Sequence, residues 1–363
     1  MDRATERGNQ RVFTRKIMVY IVLAIVLLLA CPLGGLKLSA NAEAKSSTIV
    51  MEAESGRVLE AKNAQIKLPL ASTTKILTAI TVIENTDTAA SVKIPKQAEG
   101  VEGSSIYLKA NENWKIKDLL FGLMLRSGND AAVALAYATS GSIEEFCCLM
   151  NRTAINAGAF NSHFVNPHGL DDEAHYTTAF DLAMITRYAL RSELFRQIVG
   201  SKKHDYLDPS GKPSAFFNKN KMLKLFDGAN GVKTGFTKQS GRCLVTSAIR
   251  ENMQLITVVL NVSNMWQASA VLLKMCYSKY DMVTLAEKDK VITNAKLRYN
   301  KGEVGVCVKR SLRYPLSEVE KENIRYEFST INNRINAEKD IYMGKVDIYH
   351  KNYLLFSEKL YSI

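Results

Sequence analysis

The chain lacks the marks of a metal protein and of a disulfide scaffold. It carries six cysteines and five histidines in 363 residues. No Cys/His spacing forms a metal site, so no metal or other cofactor is expected. Cys31 lies beside an apolar N-terminal run, and without it five cysteines remain, two of them adjacent at Cys147 and Cys148. That pattern reads as small buried apolar residues rather than bridges. Internal repeats are absent, which excludes solenoid architectures. No basic patch is interleaved with aromatic residues, which disfavours nucleic acid as a partner. Acidic residues are the minority, 36 against 48 Lys and Arg.

The net charge is +12 and hydrophobic residues make up 47% of the chain. This is ordinary globular composition, and the length suggests two domains. Residues 1–44 hold six basic and three acidic residues, so nine of the twelve net positive charges belong to the rest. Such a surface favours a polyanion, either an anionic lipid or an anionic wall polymer. Arg11, Arg15 and Lys16 precede the apolar run that starts at Ile17. A basic segment followed by an apolar one reads as an export signal. Ala40-Asn41-Ala42 and Ala42-Glu43-Ala44 are cleavage candidates. The uncharged stretch from Ile17 to Leu36 is also long enough for a membrane-spanning helix, and Leu28-Leu29-Ala30-Cys31 resembles a lipoprotein site weakened by Pro32. Each reading places the remainder outside the cytoplasmic membrane. Residues 1–44 are thus the leader or membrane segment.

Ser47–Glu52 and Val58–Ala61 read as strands joined at Glu54-Ser55-Gly56. A short extended segment ending at Pro69 leads to a helix that starts near Ser72 and runs to about Glu84. Ser91–Pro95 and Ser105–Leu108 read as extended pieces, and Lys115–Leu125 has helical periodicity. Arg126-Ser127-Gly128-Asn129-Asp130 is a turn between two apolar helices, with Asp130 a plausible cap. Ile143–Ala157 is helical with Gly158 as its stop, Asn166–Leu170 is a loop, and Thr177/Thr178 cap a helix to Leu190. Arg242–Ile249 and Met253–Asn261 form a hairpin, and Trp266–Tyr277 closes the first part as an amphipathic helix. From about Val291 the segments 296–299, 303–308, 324–328, 345–349 and 353–356 are short, alternating and charge-rich. The boundaries expected are 45–283 for the first folded part and 290–363 for a small all-β part.

Three short motifs carry chemistry. Ser72 and Lys75 are three apart at a helix start and therefore share a face. A lysine against apolar walls and near other cations loses its charge and can take the serine proton. Ser127 and Asn129 point polar groups into a junction, Ser127 to relay a proton and Asn129 to bond a substrate amide. Lys233-Thr234-Gly235 lies on or beside a strand edge, where glycine admits a substrate backbone and the lysine and hydroxyl suit a carboxylate. His168 and His175 read as structural, because no nucleophile or acid partner stands beside them in sequence.

Ser-x-x-Lys, Ser-x-Asn and Lys-Thr-Gly, in this order and separation, form the active-serine penicillin-recognising set. With Leu70–Lys75, Arg126–Ala131, Asn166–Leu170 and Gly231–Gly235, the chain resembles the D-alanyl-D-alanine carboxypeptidases, the low-molecular-mass penicillin-binding proteins, over roughly residues 45–280. The resemblance implies an α+β fold: a β-lactamase/transpeptidase-like antiparallel sheet flanked by helices with a helical subdomain, followed by a small all-β domain. It also implies that Ser72 attacks the carbonyl between two terminal D-alanines of a peptidoglycan stem peptide. Lys75 accepts the serine proton, Ser127 with Asn129 passes a proton to the leaving D-alanine, and Lys233 and Thr234 hold the terminal carboxylate. By analogy the oxyanion sits between the backbone N–H groups of Ser72 and Phe236. β-Lactams are expected to acylate Ser72, with no metal involved.

The sequence departs from that family in two places. Lys345–Ile363 reads as strands where such proteins often end in an amphipathic membrane helix, which leaves membrane contact to the N-terminal segment. Phe236 follows Lys-Thr-Gly where a polar residue or histidine is also compatible. A class A β-lactamase is disfavoured because no Glu-x-x-Leu-Asn loop is found. A transpeptidase of the same superfamily and a silent wall-binding module are the alternatives, the second opposed by the intact Ser72/Lys75 pair.

Overall fold

The structure is a computed structural model that describes residues 46–298, 302–331 and 338–363. The leader expected at 1–44 lies outside the described residues. Strand β1 (Ser47–Glu52) pairs antiparallel with β2 (Val58–Lys62) across the expected turn. Three later strands, β7 (Ala229–Thr237), β8 (Gly241–Arg250) and β9 (Met253–Leu260), complete a five-stranded antiparallel sheet in the order β2-β1-β9-β8-β7. The β8–β9 hairpin turns at Glu251 and Asn252, whose φ angles of 47° and 64° are those of a primed turn.

Both faces of this sheet are covered. Successive side chains on a strand point to opposite faces. Ile49, Met51, Val245, Ile256 and Val258 enter one core with the helices of the first part. Val50, Leu244, Leu255 and Val259 enter a second core with the helix Met265–Lys279. The helix Lys75–Asn85 is buried from Lys75 to Val82 and packs among the helices Asn129–Ser140, Ile143–Asn156 and Ala179–Ala189. Its neighbours have ordinary ends. Ser142 and Thr178 accept from backbone N–H groups one turn on, and Gly158 takes a φ of +85° after Asn156. Two small hairpins, β3 (Ser91–Lys93) with β4 (Asn113–Lys115) and β5 (Lys203–Leu207) with β6 (Pro213–Phe217), flank the helical region.

Three local expectations are corrected. The segment ending at Pro69 forms a single bridge, Leu68 to Thr177, rather than a strand. Residues 105–108 form no strand, because their N–H groups turn to the Asp130 carboxylate instead of a neighbouring chain. The helix expected over Lys115–Leu125 is α-helical only from Ile116 to Phe121 and then widens into a π turn, Gly122–Arg126.

In the C-terminal part, β11 (Thr293–Lys296), β12 (Glu303–Cys307), β16 (Tyr353–Ser362), β15 (Tyr342–His350) and β14 (Ile324–Thr330) form a second five-stranded sheet in that order. The first strand of this sheet lies three residues earlier than expected. The sequence reading missed β10 (Asp281–Ala286) and β13 (Leu312–Leu316), which pair with each other. β10 begins before residue 283 and runs into the interval left between the two expected parts. Arg57 joins the two regions. Its guanidinium pairs with Glu320, donates to the Pro315 carbonyl and lies over the rings of Tyr280 and Tyr314. Cys147, Cys148, Cys243, Cys276 and Cys307 are all free thiols, and all but Cys148 are buried. Among the described residues no helix is long and apolar enough to cross a membrane.

Candidate active site

Ser72 sits on a single 3-10 turn, Ala71–Thr74, that feeds directly into the buried helix. The turn is tied down by its own hydroxyls: Thr73 Oγ1 donates to Leu70 O at 2.6 Å and Thr74 Oγ1 to Ala71 O at 2.8 Å. Ala71 adopts a left-handed φ of 48°, a conformation that an L-residue keeps only when its surroundings fix it. The loop 166–170 supplies that constraint. Asn166 Oδ1 accepts from the N–H groups of His168 and Gly169. Gly169 then packs so closely that a Cβ on it would stand 2.0 Å from Ala71 O.

Lys75 is fully buried. Its Nζ lies 2.9 Å from Ser72 Oγ, 2.7 Å from Asn129 Oδ1 and 2.6 Å from the His168 carbonyl. The Asn129 amide is oriented by its other end, since Nδ2 donates to Glu102 O at 2.5 Å. Two of the three Lys75 partners can therefore only accept, and the Ser72 hydroxyl alone can donate. A neutral Lys75 amine keeps two donated bonds and meets its lone pair with the serine proton. Burial lowers the proton affinity of Lys75 well below the usual lysine value, and Lys233 lowers it further. The Asp130 charge works in the opposite direction.

The π turn Gly122–Arg126 ends at Ser127, which takes a left-handed φ of 67°. A π turn inserts one extra residue per turn and re-aims the chain that leaves it. Ser127 and Asn129 are both buried at the junction with the next helix. Asp130 is buried as well, and its Oδ1 accepts the first-turn N–H of Ala131 at 2.9 Å. Its carboxylate accepts from Ser105 Oγ at 2.6 Å and from the N–H groups of Ile106 and Leu108.

The third wall is β7, an edge strand of the first sheet. A Cβ on Gly235 would lie 3.0 Å from both Leu70 O and the Ser72 backbone nitrogen, so glycine lets the strand run this close to the serine turn without displacing it. Lys233 Nζ donates to Ser127 Oγ at 3.1 Å and to the Thr234 carbonyl at 2.9 Å. Burial brings Lys233 down to about 7, with Lys219 adding to the effect. Thr234 is half-buried, and Phe236 is 62% exposed with the Arg242 guanidinium 5.5 Å above its ring.

Thus Ser72, Lys75 and Asn129 form one hydrogen-bonded group, and Ser127 and Lys233 form another. Asn129 already bonds at both ends of its amide. The two histidines serve the scaffold through a carbonyl and a ring. His168 offers its backbone oxygen to Lys75. His175 accepts the Val165 N–H on Nδ1, which leaves Nε2 to donate to Thr74 Oγ1 at 2.9 Å. Burial pushes His168 down to about 3 and His175 to about 4, so both rings are neutral near pH 7. Sequence reasoning missed the His168 carbonyl, Lys219, and the segment 102–108 against Asn129. The basic run at Lys219 and Lys221, just ahead of the Lys-Thr-Gly strand, was the signal for the second of these. Among the described residues no cluster of three His, Cys, Asp or Glu side chains could hold a metal ion.

Comparison with known proteins finds relatives over most of the chain. The D-alanyl-D-alanine carboxypeptidase DacF of Bacillus subtilis is 33% identical over 301 residues, covering 79% of this chain and 77% of the relative. The solved structure of penicillin binding protein 5 from Haemophilus influenzae superposes with a TM-score of 0.72 at 27% identity, covering 87% of this chain and 96% of that one. The fold is shared with PBP3 from Streptococcus pneumoniae, with a TM-score of 0.75 at 21% identity, over 87% of this chain and 97% of that one. A family model described as D-alanyl-D-alanine carboxypeptidase matches residues 37–264, and the chain belongs to that family of serine peptidases.

Proposed function

We propose that this protein is a serine D-alanyl-D-alanine carboxypeptidase that removes the terminal D-alanine of peptidoglycan stem peptides through an acyl-enzyme on Ser72. One observation carries the reading. Among the described residues, Lys75 Nζ, buried and depressed in proton affinity, has Ser72 as its one hydrogen-bond partner able to give it a proton. Lys75 is then the general base and Ser72 the nucleophile. The carbonyl carbon gains the Ser72 Oγ bond, and the negative oxygen is met by backbone N–H groups where β7 passes the serine turn. Ser127, held by Lys233, relays the proton that Lys75 accepted to the departing amine while the C–N bond breaks, which leaves Lys75 neutral again. Lys233 and Thr234 receive the terminal carboxylate, with Lys219 adding positive charge. Water, deprotonated by the same base, then cleaves the ester. A β-lactam enters the same path as far as the acyl-enzyme.

The substrate lies outside the cytoplasm, so residues 1–44 act as the export signal or anchor, and any membrane contact is made there.

The test is D-alanine release from a stem pentapeptide, together with covalent labelling by a fluorescent penicillin, beside Ser72→Ala. Wild-type release and labelling, both lost in the variant, support the assignment. A folded wild type that neither releases D-alanine nor labels overturns it.

A further inference from the structure

The segment 102–108 has no regular backbone pairing, yet it is clamped twice. Near its start, the Asn129 N–H donates to Ser104 O at 2.6 Å and Asn129 Nδ2 to Glu102 O at 2.5 Å. A Cβ on Gly103 would stand 2.7 Å from that same Nδ2, so the segment is the wall of the cleft beside Asn129. Near its end, Asp130 takes the N–H groups of Ile106 and Leu108 and the Ser105 hydroxyl. Ile106 packs inward, against Gly122 at the start of the π turn and Gly128 just after it.

Tyr107 lies within the second clamp and faces the other way. Its backbone holds a left-handed φ of 65°, and its N–H donates to Ser105 Oγ at 2.8 Å. Its side chain is 85% exposed and meets no hydrogen-bonding, ring or cationic partner among the described residues. An aromatic residue is strained at such a φ, and the bonds to Asp130 and Ser105 hold it there; such strain clusters at functional sites. The backbone is fixed at some cost, and what it presents is a bare ring in water. Tyr107 is three residues from Ser104, whose carbonyl Asn129 holds, so the backbone at Tyr107 lies within about 11 Å of that contact. The cationic end formed by Lys233 and Lys219 takes the terminal carboxylate. The rest of a longer peptide leaves through the mouth.

We infer that Tyr107 is a specificity-determining residue, whose ring packs on aliphatic side-chain atoms of the peptide upstream of its two terminal residues. This rests on the peptidase reading above. The test compares kcat/KM for a stem pentapeptide with kcat/KM for an N-acyl-D-alanyl-D-alanine that lacks the upstream residues. The wild type is measured beside Tyr107→Ala, Tyr107→Phe and Tyr107→Gly, the last of which also relieves the backbone strain. The expected result is a pentapeptide-to-dipeptide ratio roughly tenfold lower in the alanine and glycine variants, as for loss of one partly buried aromatic face, and retained in the phenylalanine variant. A ratio unchanged in Tyr107→Ala overturns the inference, as does a fall caused equally by Tyr107→Phe. A wild type that hydrolyses the dipeptide keeps the peptidase reading standing whichever way the ratio falls. A wild type that hydrolyses neither overturns both.

Discussion

Replacing Gly169 with alanine tests whether the serine turn is held from outside. Gly169 has a φ of +86°, and an added Cβ would meet Ala71 O at 2.0 Å and Thr74 Oγ1 at 2.7 Å. The conformational term alone is about 1–2 kcal/mol for a residue with a Cβ. Overlap with a backbone carbonyl cannot be relieved by a side-chain rotation, and forced overpacking costs about 1–3 kcal/mol more. The sum, about 2–5 kcal/mol, corresponds to a fall in Tm of about 10 °C for a domain of this size. Gly141 provides the control, because it has a φ of +80° and nothing within 4 Å of its added Cβ. Gly141→Ala therefore carries the conformational term without the overlap. Urea denaturation of both variants separates the two terms. The same overlap pushes the loop away from the turn and lengthens the 2.6 Å contact between the His168 carbonyl and Lys75. Penicillin acylation should slow by more than tenfold in Gly169→Ala and stay near the wild-type rate in Gly141→Ala. If the two variants lose equal stability and acylate alike, the external clamp on Ser72 is refuted.

Lys233, brought down to about 7 by burial, binds fewer protons folded than unfolded between about pH 7 and about 10.4. Its contribution to stability therefore rises with pH across that window. The urea midpoint of Lys233→Met should gain less than the wild type between these limits, and equal gains would disprove the assignment. Asp130→Ala strands the buried N–H of Leu108 and frees residues 105–108 while Asn129 still holds 102–104, with an expected loss of about 2–5 kcal/mol and slower acylation; chemical denaturation and stopped-flow labelling check both. Arg57→Ala removes the Glu320 pair and the Pro315 contact far from the cleft. It should leave acylation unchanged while making the unfolding transition two-step. A single unshifted transition would show that Arg57 does not couple the regions.

The sequence revealed the site better than its supports. The Ser72/Lys75 spacing, the Ser127 turn and the Lys-Thr-Gly edge were legible because each depends on local geometry that residue type and spacing encode. Strands β8 and β9 were legible as a hairpin from their Arg250-Glu251-Asn252 turn. What stayed hidden is set by partners distant in the chain. Asp130 looks like a cap in sequence and does take the Ala131 N–H, but its carboxylate also serves a loop 22 to 25 residues earlier. The π turn continues a helical periodicity, so nothing in Gly122–Arg126 announces the extra residue. β10 and β13 were missed because their pairing skips over β11 and β12, and neither strand is strongly alternating. The His168 carbonyl belongs to the backbone, and residue type carries no signal for which carbonyl will face a lysine.

The burial of Lys75 has a consequence for how the protein is counted. On the proposed mechanism, the amine becomes a base only after the sheet, the π turn and the 166–170 loop have closed around it. In an unfolded chain the same lysine is a hydrated ammonium, and Ser72 is an unremarkable alcohol. Reactivity toward penicillin is thus a property of the assembled tertiary structure and of no segment alone. The fraction of chains that label in a given sample measures the fraction folded. A covalent inhibitor therefore doubles as a titrant of native molecules during refolding or after heat challenge.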